Sequence, residues 1–207
     1  MTDSFGAKFL VIVRHADYDL GTNFGDQPLS ALGIEQIQKL RRVICTALQR
    51  IGGKRSEAVL VSFSDLNWAI QSARKLSRPG DILIVFNGGE EGEGNRRHIR
   101  EPRKILEKLM GFANHCEASV IIAVAHGDMP SVIAETAHEF VTQKRLNLPS
   151  VDKARGFVVD ITTGEVTSIG WDNPLDETTS PQTAVRESSR PVFKGGPNDM
   201  RGDEIFF

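Results

Sequence analysis

Apolar residues follow two patterns along the chain. Phe9-Leu10-Val11-Ile12-Val13, Ala58-Val59-Leu60-Val61-Ser62-Phe63, Asp81-Ile82-Leu83-Ile84-Val85-Phe86 and Ser119-Val120-Ile121-Ile122-Ala123-Val124-Ala125 are short continuous runs, read as buried strands. Between them apolar positions recur with helical spacing. Leu32, Ile34, Ile37, Leu40, Val43, Ile44, Ala47, Leu48 and Ile51 predict a helix of about five turns, with Ser30 at its start and Gly52-Gly53 as its stop. Leu66, Ala69, Ile70, Ala73 and Leu76 predict a second helix, capped by Ser64-Asp65. Pro102 opens a third through Ile105, Leu106, Leu109, Met110, Phe112 and Ala113. Met129-Pro130-Ser131 leads into a fourth with Val132, Ile133, Ala134, Ala137, Phe140 and Val141. Residues 156–161 and 165–171 flank Thr162-Thr163-Gly164 and predict a hairpin. The order β-α-β-α-β-α-β-α-β-β implies an α/β fold, a three-layer α/β/α sandwich with a mostly parallel central sheet. One domain over 1–172 is expected. From about Asn173 Pro, Ser, Thr, Gly and charges dominate, so 173–207 reads as an extended or partly disordered tail.

Composition narrows the partners. With 207 residues the chain is long enough for one sizeable core and short for two. A net charge of −2 gives no broad attraction for nucleic acid or an anionic membrane, so neither is expected as a partner and any anion site must be local. No apolar run approaches a membrane span, and residues 1–6 lack the regions of a signal peptide, so a cytoplasmic protein is expected. Cys45 and Cys116 fit no disulfide framework or metal-ligand spacing and read as buried free thiols. His98, His115 and His138 read as surface or helix-end residues.

Two of the strands end in histidine. The first runs into Arg14-His15 and the fourth into His126-Gly127-Asp128. Ligands of open α/β sheets bind beyond the carboxyl ends of the strands, so both histidines can meet over one pocket. Two imidazoles and a guanidinium form a cationic cup for a tetrahedral oxyanion. One imidazole can attack phosphorus in line while the other stabilises charge on the equatorial oxygens, and a carboxylic acid nearby would protonate the leaving group. The competing reading of the same histidines is a metal site, which needs a third and fourth ligand. HExxH, a Walker A lysine motif, GxGxxG and GxSxG are absent. Asp17 and Tyr18, in the loop after His15, are candidates for substrate contact.

Four segments, in order and on the right elements, resemble the histidine phosphatase (phosphoglycerate mutase-like) superfamily, closest to its short bacterial phosphohistidine phosphatases. Val13-Arg14-His15-Ala16 resembles the Arg-His-Gly signature, with alanine third. Pro28-Leu29-Ser30-Ala31-Leu32-Gly33-Ile34-Glu35-Gln36 is similar to Pro-Leu-Thr-x-x-Gly-x-x-Gln. Ser64-Asp65-Leu66-Asn67-Trp68-Ala69-Ile70-Gln71-Ser72-Ala73 is similar to Ser-Pro-Leu-x-Arg-Ala-x-x-Thr-Ala. Val124-Ala125-His126-Gly127 resembles the second histidine motif. The resemblance implies a phosphohistidine on His15, phosphoryl binding by Arg14 and transition-state stabilisation by His126; Gly127, in the second histidine motif, is a candidate substrate contact. It implies a phosphatase of phosphomonoesters or phosphohistidine, with a phosphorylated small molecule or phosphoprotein as partner and with no metal and no cofactor.

The departures from the family pattern bear on activity. The family's second arginine falls on Trp68, which has one N–H donor and no charge. Arg96, Arg97 and Arg100, in the loop after the third strand, are candidates to replace it, and Trp68 itself is a candidate substrate contact. Candidates for the acid are Glu90, Glu91 or Glu93 in that loop, as in the mutase-like branch, or Asp128, as in the acid phosphatase branch; helix capping is the structural alternative for Asp128. The rival function is a weak or inactive member that binds a phosphorylated ligand or a protein partner.

Overall fold

A computed structural model of the chain describes residues 6–20, 26–86 and 101–172. Its elements are β1 (Phe9–Arg14), α1 (Ala31–Arg50), β2 (Ala58–Ser62) after a 3₁₀ turn at Arg55–Glu57, α2 (Asn67–Leu76), β3 (Leu83–Val85), α3 (Pro102–His115), β4 (Val120–Ala125), α4 (Met129–Thr142), β5 (Arg155–Asp160) and β6 (Val166–Gly170). The tail over 173–207 lies outside the described residues, as do Glu90, Glu91, Glu93, Arg96, Arg97, His98 and Arg100.

One six-stranded sheet runs in the order β3-β2-β4-β1-β5-β6. β1 to β4 pair in parallel, whereas β5 pairs antiparallel with both β1 and β6. The sheet is therefore mixed, parallel across the half that carries both histidines. Alternate residues of each strand face opposite layers. Val11, Val13, Leu60, Ile122 and Val124 pack under α1 and α2. Leu10, Ile12, Val61, Ile121 and Ala123 pack under α3 and α4. This double burial makes β1 and β4 read as unbroken apolar runs.

Local chemistry sets the helix ends. Ser30 is the N-cap of α1, and its Oγ accepts from Gly33 N at 3.0 Å. In the hairpin between β5 and β6 Gly164 takes φ +76°, a conformation that favours glycine. Other sequence expectations shift. Leu32 is exposed and Ile34 half-buried, so the core stripe of α1 begins at Gln36 and Ile37. α2 starts one residue after Leu66, whose amide Ser64 Oγ accepts at 3.1 Å in a tight turn, so Ser64-Asp65 is not the cap pair. Its buried side is Trp68, Ala69, Ser72, Ala73 and Leu76, while Leu66 and Ile70 are half-buried. β3 spans three residues, not six; among the described residues it is an edge strand paired only with β2. Cys45 and Cys116 are free but half-buried rather than buried, and Arg78 Nη2 donates to Cys45 Sγ.

Candidate active site

The register of the two central strands decides how the histidines meet. Arg14 of β1 pairs with Ala125 of β4, and His15 N donates to Ala125 O at 2.9 Å. His15 and His126 are the next residues on adjacent strands, and such strands run about 4.8 Å apart. Along β1, Ile12 faces the α3/α4 layer and Val13 the α1/α2 layer. Strand alternation therefore sends Arg14 toward the segment after α4 and His15 toward α2. Arg14 Nη1 donates to Val151 O at 3.0 Å, and the His15 ring lies 5.9 Å from Trp68 and 5.5 Å from Tyr18.

His15 is 4% exposed. Burial pushes its pKa from 6.5 to about 4, with the charges of Arg14, His126 and Lys153 acting in the same direction and the bond to the Ala16 carbonyl opposing them. Its ring is therefore neutral at neutral pH. Its Nδ1 lies 2.8 Å from Ala16 O, and a carbonyl can only accept, so Nδ1 carries the proton. The Nε2 lone pair is left for attack. The buried Arg14 Nε has no hydrogen-bond partner among the described residues. A buried N–H of this kind is costly unless something accepts from it.

The short motifs noted in the sequence now have physical jobs, and each holds the backbone after His15. Ser72 Oγ accepts from Ala16 N at 3.1 Å and donates to Trp68 O at 2.7 Å. Gln36 Oε1, buried, accepts from Asp17 N at 2.9 Å. Gln71 Oε1 accepts from Leu29 N at 3.2 Å. Gly33 leaves room for the loop: a Cβ there would fall 1.9 Å from Asp17 O. A bridge between Tyr18 and Leu29 closes the loop's base.

Asp17 spends both carboxylate oxygens inside the protein. Oδ2 accepts from Ser30 Oγ at 2.8 Å and Oδ1 from Lys153 Nζ at 2.6 Å. The Lys153 bond holds its carboxyl below the usual range, burial opposes this, and Ser30 adds to the lowering. Tyr18 stacks on Trp68, centroids 4.5 Å apart and rings 15° from parallel, and Lys153 Nζ sits 4.3 Å over the Tyr18 ring. Gly127, at φ +55°, turns the chain out of β4. Asp128 stands at the N-cap position of α4, but its side chain makes no cap hydrogen bond; Ser150 Oγ donates to its carboxylate instead. His138 Nδ1 is 2.7 Å from Gly164 O, and His115 is exposed at the end of α3, both away from this centre.

Solved structures with this arrangement of elements are known. The protein histidine phosphatase SixA complexed with tungstate matches at 13% identity and TM-score 0.52, over 78% of this chain and 94% of that one. The histidine phosphatase fold is the fold of this chain. A mycobacterial glucosyl-3-phosphoglycerate phosphatase with inorganic phosphate matches at 16% identity and TM-score 0.52, covering 81% and 98% of the two chains. A mycobacterial hydrolase matches at 17% and 0.50, covering 81% and 100%. Neither a family model nor a curated protein matches the sequence. The likeness is one of fold, and the chemistry has to come from the residues above.

On that fold the structure gathers Arg14, His15, Asp17, Tyr18, Trp68, His126, Gly127 and Asp128 at the carboxyl ends of β1 and β4 or on the elements packed against them. Lys153 and the segment 143–154 that carries it were not foreseen. That segment has no periodicity, yet it bonds Arg14, Asp17 and Asp128 in turn. The cluster Ser56, Gly80, Cys116 and Glu117 lines a surface depression at the opposite, amino-terminal edge of the sheet. Among the described residues no three His, Cys, Asp or Glu side chains are grouped to hold a metal, and no helix is long and apolar enough to cross a membrane.

Proposed function

We propose that this chain is a metal-independent phosphatase, cytoplasmic, that forms a phosphohistidine on His15. Its substrate is a phosphomonoester or phosphohistidine, carried by a small molecule or a phosphoprotein. The observation that carries the reading is the state of His15: buried, neutral, with its Nδ1 proton committed to Ala16 O, next to Arg14 on its own strand and beside the strand that ends at His126. In the first step Nε2 attacks phosphorus in line; the N–P bond forms as the bond to the leaving atom breaks. Arg14 and His126 bear the charge on the equatorial oxygens. The leaving group takes a proton from Asp128, the acid candidate within the described residues, or from Glu90. In the second step water attacks phosphorus and gives its proton to the carboxylate left by the first step, the P–Nε2 bond breaks, inorganic phosphate leaves, and Nε2 regains its lone pair.

The test is hydrolysis of p-nitrophenyl phosphate, with chelator present, by wild type and His15→Ala. Turnover by wild type that survives chelation and is lost in His15→Ala supports the proposal. Turnover abolished by chelator overturns it in favour of a metal hydrolase. One observation favours a second reading. Trp68, buried where the family carries a charged donor, suits a weak or inactive member that binds phosphorylated ligands or a protein partner. A folded wild type that binds inorganic phosphate but turns nothing over from acidic to neutral pH would make that reading the better one.

A further inference from the structure

We propose that Lys153 is the second phosphate-binding cation of this site, supplied from the segment after α4 in place of the charge that α2 lacks at Trp68. The proposal rests on the phosphatase reading above. Trp68, Tyr18 and Lys153 form one chain of contacts beginning beside His15: indole on phenol at 4.5 Å, and ammonium over phenol at 4.3 Å. A cation over an aromatic face is attracted by the ring quadrupole. The tryptophan at the arginine position thus supports a tyrosine that seats a lysine.

The backbone of this lysine is pinned to the catalytic dipeptide. Ala154 N lies 3.2 Å from Arg14 O and 3.0 Å from His15 O, and Trp171 N donates to Ala154 O at 3.2 Å. Ala154 is wholly buried and held at φ +55°, a left-handed conformation that costs a non-glycine residue free energy. Such strain persists only where surrounding contacts over-determine it, and it clusters at functional sites. Here it fixes the residue after Lys153.

The Lys153 ion pair with Asp17 has a bland reading, as a clamp on the first loop. The loop does not need that clamp. Asp17 is already held by Ser30 Oγ, by Gln36 through its backbone N–H, and by the neighbouring bridge from Tyr18 to Leu29. The anchored partner is Asp17, and the side chain being placed is Lys153. An ammonium has three N–H donors. Among the described residues Asp17 takes one in a hydrogen bond. The others can meet phosphoryl oxygens beside Arg14. Lys153 is already close enough for its charge to act on His15.

The experiment uses the full chain, inorganic phosphate and orthovanadate as probes, and the variants Lys153→Met, Lys153→Gln and Lys153→Arg. Glutamine can still donate to Asp17, so it removes the charge while keeping the tether. Loss of one charge-assisted hydrogen bond corresponds to about 10- to 100-fold in affinity or rate. Lys153→Met and Lys153→Gln should weaken phosphate and vanadate binding by that factor and lower kcat/KM alike, with Lys153→Arg recovering most of the loss. The acidic limb of the pH–rate profile should move to higher pH in both neutral variants, because His15 loses a repelling charge; that shift reports how near the charge lies, whereas a loss of phosphate and vanadate affinity in Lys153→Gln, which keeps the tether to Asp17, with recovery in Lys153→Arg, reports contact with the phosphoryl group. Wild-type phosphate and vanadate affinity in folded Lys153→Gln, wherever the limb lies, would overturn the role of Lys153 while leaving the phosphatase reading intact. A wild type that neither binds phosphate nor turns over substrate would overturn both.

Discussion

Protonating His15 is the perturbation with the clearest magnitude. In the unfolded chain this imidazole titrates near 6.5, and in the folded protein near 4. A lowered histidine pKa means that the native state binds fewer protons than the unfolded one between those values. Stability is then complete above pH 6.5 and falls as pH drops through the window toward 4. Moving the titration from 6.5 to about 4 corresponds to about 3 kcal/mol. The ring is almost wholly buried, so little of this is screened. Urea denaturation at pH 7.5, 5.5 and 4 should show wild type losing about 3 kcal/mol more than His15→Asn, whose amide can still donate to Ala16 O but does not titrate. The carbon-bound ring protons of His15, followed by NMR, should titrate near pH 4. The catalytic counterpart is that at pH 5.5 nearly all of His15 is neutral, against about a tenth for an ordinary histidine. Activity should therefore persist well into the acidic range. A titration midpoint near 6.5, or equal acid losses in wild type and His15→Asn, would refute the reasoning.

Three other outcomes are expected. Gly33→Ala places a Cβ 1.9 Å from Asp17 O, so the loop must retreat by over an ångström; a cost of about 1–3 kcal/mol in urea melts and a drop of up to about 100-fold in kcat/KM are expected, and an unchanged melt would contradict the packing described. Asp81→Ala strips the buried Arg55 of its carboxylate partner at 2.9 Å and should cost about 3–5 kcal/mol without changing KM in the surviving folded protein. Asp128→Asn should slow hydrolysis of an alkyl phosphate by about 100-fold or more and barely affect p-nitrophenyl phosphate, whose leaving group needs no acid; an alkyl phosphate rate unchanged from wild type would remove Asp128 and turn the search to Glu90, Glu91 and Glu93.

Much of the fold and part of the site were legible in the sequence for identifiable reasons. β1 and β4 are buried on both faces, so they read as unbroken apolar runs, and the polar residues that end them mark the carboxyl edge of the sheet. Ser30 and Gly164 announce their roles because a cap and a left-handed turn restrict residue choice. Where the physics is less selective the reading slipped. β3 is an edge strand of three residues, and its flanking apolar residues gave it excess length. Ser64 and Asp65 look like caps, but serine serves a tight turn equally well, and Leu66 occupies the cap. Lys153 left no signal at all. It sits in irregular backbone, its left-handed neighbour is alanine rather than glycine, and its partners Asp17 and Tyr18 are more than 130 residues away.

The central claim is that His15 carries the phosphoryl group. Its most direct test is acid-free rapid quench of wild type with p-nitrophenyl phosphate and chelator, followed by peptide mass spectrometry under alkaline conditions. A phosphoryl group on the peptide containing His15, stable to base, lost in acid, formed no more slowly than turnover and missing from His15→Ala, is the expected result. Steady release of inorganic phosphate with no phosphorylated His15 at any time in the reaction would contradict it.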